Sequence, residues 1–234
     1  MSDRRLTPAP GRGSLVPPAG WLDGSRIGAE GPGVAFLALV TVIALGLRLL
    51  RLDSMSLWVD EVFTWGLVAP RPGADFLSHI LAAYQGPLYH AAAWPLVRLA
   101  DTAFMLRLPA ALAGTATVPL VGLLAGRLWG RDAGRWAAVL ACFSPFLVWY
   151  SQEARGYAVL ILFTAGSGLA LMDAVRLGIT PGRAIVIALL CGGGLLGNFA
   201  FVLLLPAYGL TVLALARPRT LAHWALWALA LGGG

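Results

Sequence analysis

Residues 184–216 read AIVIALLCGGGLLGNFAFVLLLPAYGLTVLALA, thirty-three consecutive positions without a charged side chain. About 20 apolar residues cross a hydrocarbon layer as a helix, so this run is too long for one span and too short for two full ones. Gly197-Asn198 in its middle reads as a tight turn between two short helices. The rest of the chain supports that reading. It has 234 residues, 59% of them hydrophobic and only 12% charged. An ordinary soluble domain is about 45–50% apolar and ~25% charged, and surface-to-volume scaling leaves a chain of this length no interior for the excess. Composition therefore excludes a soluble domain, a disordered chain and a disulfide scaffold, and it implies an all-α polytopic membrane bundle. Cys142 and Cys191 both sit inside apolar blocks and read as small hydrophobes.

Working outward, the other uncharged runs give spans at Gly31–Leu47, Leu108–Gly126, Trp136–Gln152 and Gly156–Met172. Another begins at Thr220 and stops in mid-helix at Gly234, so the domain over 31–234 is expected to be C-terminally incomplete. All 17 basic residues are arginine, against 11 acids, for a net charge of +6. They stand singly between apolar blocks, a distribution suited to lipid headgroups and topology signals rather than to nucleic acid. Arg127, Arg131 and Arg135 share one short connection, Arg176 and Arg183 a second, Arg217 and Arg219 a third. Short basic connections belong to the cytoplasmic side. Residues 1–30, rich in Pro, Gly, Ser and Arg, read as a flexible cytoplasmic tail.

Parity then places residues 51–107 outside as one long loop, together with Glu153-Ala154-Arg155 and Asn198. Pro87–Ala100 is apolar but short, and it carries His90, Pro95 and Arg98. Because a crossing there would invert every later connection, it reads as an interfacial helix lying along the membrane. The expected protein is a multi-pass component of the cell (inner or plasma) membrane with a cytoplasmic N-terminus.

The chemistry-bearing residues collect on that outer side. Trp58-Val59-Asp60-Glu61 follows the first span. Helix neighbours point about 100° apart, so Asp60 and Glu61 cannot both address one atom. One carboxylate suits a general base and the other an orienting or capping group. Gly86-Pro87-Leu88-Tyr89-His90 opens the interfacial helix, and His90 would need partners to hold a metal. Arg107 stands at the mouth of a span, with Pro109 expected in its first turn. An arginine there can fork onto a lipid phosphate or simply snorkel. Ser144-Pro145-Phe146 and the run from Tyr150 through Glu153 and Arg155 to Tyr157 complete the set, with a local Glu153–Arg155 contact as the plain alternative.

In their order, LW-DE, GPLYH, RLPAALAG, a basic hairpin and SP-FLVWYSQEARGY resemble the membrane glycosyltransferases of the GT-C fold. The branch they resemble is that of the protein O-mannosyltransferases and the lipid A aminoarabinose transferases. The likeness runs from about Leu47 to Tyr208. Two departures stand out: Gln85 and Gly86 replace the family's usual His and Pro, and family members are longer, with more spans. The resemblance implies inverting sugar transfer from a polyprenyl-phosphate-linked donor to a hydroxyl acceptor on a protein, lipid or glycan. Asp60 would be the base, Glu61 would position it or the acceptor, and Arg107 and Arg155 would balance the leaving phosphate. Tyr89, His90, Glu153 and Tyr157 would line the substrate site. No nucleotide-binding glycine-rich loop occurs, which agrees with a lipid-linked donor. The sequence assigns no definite cofactor, and a divalent metal is left open. A non-catalytic lipid-binding scaffold is the rival reading. A transporter or flippase subunit fits less well, because the charges sit at span ends and no repeat is evident.

Overall fold

The computed structural model describes residues 31–69, 78, 86–216 and 221–233, and every element among them is helical. The expected tail at 1–30, Gln85 and the basic pair Arg217 and Arg219 lie outside the described residues. In chain order the helices are α1 (Val34–Leu49), α2 (Val59–Val68), α3 (Pro87–Leu99), α4 (Ala103–Trp129), α5 (Arg131–Phe143), α6 (Pro145–Ser151), α7 (Tyr157–Leu177) and α8 (Pro181–Gly197). A 3-10 turn (Phe199–Leu204), α9 (Leu205–Thr211), a π segment (Val212–Ala216) and α10 (Leu221–Gly232) follow. Two of these, α4 and α7, are long and apolar enough to cross a membrane.

Local chemistry sets the boundaries. The Thr102 hydroxyl accepts from the Met105 amide and starts α4, Thr180 accepts from Arg183 ahead of Pro181, and Asn198 accepts from Ala200. These are N-cap residues satisfying otherwise unpaired amides. The break read at Gly197-Asn198 is thus a helix end followed at once by the 3-10 turn. Two expectations change. The span read over Trp136–Gln152 is two helices, because Pro145 cannot donate to a continuing helix and the Ser144 hydroxyl instead caps a new one. The helix read from Leu108 begins at Ala103, five residues earlier, so Arg107 and Pro109 lie inside it rather than at its mouth.

At 27 residues, α4 is the axis of the assembly, packed by α1, α3, α5, α6 and α7. Its crossing with α5 is close because a Cβ on Gly134 would collide with the Gly122 carbonyl oxygen and the Gly126 backbone. Small residues at such a contact let two helices approach by backbone rather than by side chain. A second cluster joins α7, α8, the 3-10 turn and α10 around Ile187, Cys191, Phe201 and Trp227.

The two ends of the bundle differ in chemistry. At one end Arg127 pairs with Asp173, Arg176 donates to the Arg127 carbonyl, and Arg183 donates to the carbonyls of Leu177 and Gly178. The other end gathers the start of α2, the start of α3, Arg107, the 152–156 connection and Asn198. Helix α3 packs against α2, α4 and α8 at this end. Tyr89 in its first turn donates to the Leu106 carbonyl at 2.7 Å, and its last turn stops just before the α4 cap. Gly86 (φ 124) makes the tight entry, seated so close to Leu196 and Gly197 that a Cβ would strike their backbone.

Candidate functional site

The site is built around a buried clasp. Arg107 and Glu61, 46 positions apart, meet as a fork: Nε to Oε1 at 2.8 Å and Nη2 to Oε2 at 2.6 Å, with both side chains at most 5% exposed. The remaining Arg107 N–H groups donate to the carbonyls of Leu52, Met55 and Ser56 at 2.8, 3.0 and 3.3 Å. Glu61 also accepts from the Ala154 amide at 2.8 Å and, across the first turn of α2, from the Trp58 amide at 3.4 Å. All five Arg107 donors are therefore in use. One carboxylate and one guanidinium bind the 52–58 segment, the start of α2, α4 and the 152–156 connection into a single unit. Planar bidentate pairing of this kind is specific to arginine.

Asp60 turns the other way. Its carboxylate is 36% exposed and lies 3.6 Å from Arg155 Nη2, while Arg155 Nη1 donates to the Asp60 carbonyl at 3.2 Å. Arg155 Nε is buried and has no partner, so this guanidinium keeps donor capacity that Arg107 lacks. The local Glu153–Arg155 contact is present as a backbone bond, the Arg155 amide donating to the Glu153 carbonyl at 2.8 Å, while the Arg155 side chain turns to Asp60. Glu153 instead accepts from the Trp149 indole N–H at 2.5 Å. Burial, with Glu61 and Asp60 adding like charge, pushes the Glu153 carboxyl above its ordinary range against the opposing pull of Trp149 and Arg155.

The other residues expected at the site have defined places. Tyr89 is buried with its hydroxyl on Leu106, and burial raises that hydroxyl well above its ordinary titration range. His90 Nδ1 sits 3.2 Å from the Gly86 carbonyl. A carbonyl only accepts, so Nδ1 carries the proton and Nε2 the lone pair. Burial, with the Arg155 charge adding to it, pulls the imidazole below its usual pKa against the lift of the Gly86 bond. Tyr157 joins an edge-to-face aromatic chain through Tyr150 to Phe146, with centroids 5.0 and 4.6 Å apart. Among the described residues, no three His, Cys, Asp or Glu side chains converge as a metal site.

Beside the clasp opens a cavity of about 480 Å³ lined by Leu52, Met55, Trp58, Trp149, Gln152 and Glu153, with Arg51 at the end of α1 and the Glu61–Arg107 pair also reaching it. One contributor escaped the sequence reading. Arg48, excluded from the first span, is fully buried. It donates to Ser151 Oγ (3.2 Å) and to the carbonyls of Ala44 (3.2 Å), Ala141 (3.2 Å) and Cys142 (3.4 Å). The last two are open carbonyls at the end of α5. Gln152 Nε2 reciprocates on α1, donating to the carbonyls of Leu47, Arg48 and Leu50 at 3.1–3.3 Å. The only sequence signal was an arginine one turn beyond small residues, Ala44 and Gly46, on an otherwise apolar helix. No protein-family model, no curated protein and no solved structure matches the chain.

Proposed function

We propose that the chain is a multi-pass membrane glycosyltransferase of the GT-C type, transferring a sugar from a polyprenyl-phosphate donor to a hydroxyl at the outer face. The membrane reading is supported by outward-facing apolar side chains on α1, α8 and the segment after it, among them Val34, Val42, Leu189, Leu203 and Leu210. A water-soluble surface does not expose apolar area on this scale. Its orientation rests on the short arginine-bearing connections at 127–135 and 176–183, which suit the cytoplasmic side.

The observation that carries the reaction is the division within one adjacent acid pair: Glu61 is enclosed and fully bonded, Asp60 is open beside Arg155. An exposed carboxylate anchored by a rigid neighbour suits a general base. Asp60 accepts the proton of the acceptor hydroxyl as that oxygen bonds to the anomeric carbon. The bond from that carbon to the phosphate oxygen breaks, and polyprenyl phosphate leaves with the electron pair. The Arg155 guanidinium, beside Asp60, balances the charge that grows on the phosphate, an electrostatic effect strongest where water is scarce. Arg107 is reassigned from phosphate ligand to positioning residue, since its donors are already committed.

The test is transfer from a panel of polyprenyl-phosphate hexoses and pentoses by the purified chain in nanodiscs. Asp60→Asn is expected to lower turnover at least ~100-fold, the scale of general-base loss. Near-parent turnover would overturn the assignment, and donor binding with no transfer by the parent would favour the lipid-binding scaffold.

A further inference from the structure

The bundle end opposite the acid pair is unbalanced in charge. Among its described side chains Arg127, Arg131, Arg135, Arg176 and Arg183 stand against Asp132 and Asp173. Arg127 pairs with Asp173, and Arg176 and Arg183 spend donors on helix-end carbonyls. The excess therefore gathers at the connection between α4 and α5, where Gly130 (φ 92) turns the chain. Arg131 and Arg135 are one turn apart on α5 and share a face. Both reach the start of α1. Arg135 Nε donates to the Pro32 carbonyl at 3.2 Å and its guanidinium lies 5.6 Å from the Phe36 ring centroid. Arg131 Nη2 lies 3.8 Å from where a Cβ on Gly33 would stand. Arg131 is exposed and makes no hydrogen bond or ion pair among the described residues. Asp132, 87% exposed, faces Arg135 at 3.6 Å and offsets part of the charge, so the connection stays net positive.

The surroundings define what carries the complementary charge. Trp129 closes α4 and Trp136 stands in the second turn of α5, and both are exposed. Tryptophans at helix ends mark the headgroup level of a bilayer. From Trp136 the exposed side chains continue as Leu140 and Phe143. Spacings of four and three put these on one helix face, and Trp136 follows Arg135 directly, so the apolar stripe adjoins the arginine face. A free anion would use the arginines and not the stripe. An acidic soluble partner would leave the stripe against water, where apolar area on this scale is unfavourable. A negatively charged amphiphile matches both faces, with its head group at the arginines and its chains along α5.

We infer that the α4–α5 connection binds an anionic phospholipid of the leaflet at this end. Arg131 and Arg135 hold the head-group phosphate, Trp129 and Trp136 sit beside it at the interface, and Leu140 and Phe143 lie along the acyl chains. Guanidinium groups suit this role because their planar fork matches phosphate oxygens. The site lies at the opposite end of the bundle from Asp60 and takes no part in the proposed transfer, so each stands or falls without the other.

The experiment reads lipid selectivity and needs no turnover. The purified full chain is placed in phosphatidylcholine nanodiscs with rising fractions of phosphatidylglycerol whose brominated acyl chains quench the tryptophans they touch. Brominated phosphatidylcholine is the neutral control. The parent is expected to prefer the anionic lipid at least ~10-fold, the scale of two basic residues at an anionic surface. Arg131→Gln should lower that preference about five-fold, the scale of one such residue, with the melting temperature in phosphatidylcholine unchanged. Asp132→Asn should raise the preference, and this opposite sign keeps the test decisive if Arg131→Gln is unstable. Replacing Trp129 and Trp136 together by Phe should remove the charge-selective part of the quenching, which places the lipid at this connection. Equal quenching of the parent by the two lipids, or an unchanged preference in Arg131→Gln, would overturn the inference. So would selective quenching that survives loss of both tryptophans. Displacement of the lipid by inorganic phosphate or by poly-glutamate would also overturn it, making this a site for a free ion or for an acidic protein.

Discussion

Asp60 and Glu61 are chain neighbours with the same functional group, and the fold gives them opposite environments. Glu61 takes four N–H donors from three separate segments and is closed to solvent, whereas Asp60 holds one loose pair with Arg155 and stays open. The arginines divide in parallel, Arg107 with all five N–H groups bonded and Arg155 with its buried Nε unpartnered. The difference arises from the 100° step between helix neighbours: turning Glu61 inward to α4 obliges Asp60 to face out. A buried charge is tolerable only when fully partnered, so the inner pair serves architecture, and only the outer pair has capacity for a ligand.

The strongest way to break this comparison is to remove half of the inner pair. Glu61→Ala or Arg107→Ala leaves its partner charged, buried and alone, and each is expected to cost about 3–5 kcal/mol in unfolding experiments. The double variant Glu61→Leu with Arg107→Met should recover much of that loss, since well-packed apolar replacement of a buried pair is often near neutral. Single losses below ~1 kcal/mol would mean that the pair is not a clasp. Arg107→Lys comes next, at about 2 kcal/mol: three ammonium hydrogens cannot serve five acceptors, and unserved buried acceptors carry a penalty.

Gly114→Ala sharpens the picture at the neighbouring arginine. A Cβ there would overlap the Ser151 hydroxyl that Arg48 uses, and displacing it should cost about 1–3 kcal/mol, read as a lower melting temperature. The smallest expected effect concerns pH. The folded-state pKa of Glu153 is raised, chiefly by burial, so the native state holds this proton more tightly than the unfolded chain. The contribution of Glu153 is therefore most favourable below the ordinary carboxyl range and is lost as pH rises toward its raised folded value. Glu153→Gln should flatten that slope in melting curves recorded from acid to neutral pH. An unchanged slope would assign it to other groups.

Much of the frame was legible in the sequence because its signals are local. Proline at residue 87 and asparagine at 198 mark helix ends by chemistry confined to one turn, whereas the equally local Thr102 and Thr180 caps went unread and left the start of α4 at Leu108. The Ser144-Pro145 break was equally local, yet the uninterrupted apolarity of 136–152 concealed it. The acid pair could be assigned two roles in principle, from helix geometry alone. Which acid turns inward does not follow from local geometry, and the assignment of Asp60 as base came only from the family resemblance, since the burial of Glu61 depends on Arg107, 46 positions away, and on the Ala154 amide. Arg48 was missed for a related reason. A buried arginine and a snorkelling one look alike in sequence, and only the open carbonyls at the end of α5 distinguish them.

The central claim is that two adjacent carboxylates have been separated into a scaffold and a chemical group. Its most direct test compares Asp60→Asn and Glu61→Gln in one preparation, recording the unfolding temperature and sugar transfer for each. Asp60→Asn should melt with the parent, within the ~0.5 kcal/mol usual for exposed positions, and lose at least ~100-fold in transfer. Glu61→Gln should melt well below the parent, because a neutral amide forfeits the charge partner of Arg107 and can accept through only one of its two former carboxylate positions. Equal melting shifts in the two variants, or parent-like transfer by Asp60→Asn, would contradict the account.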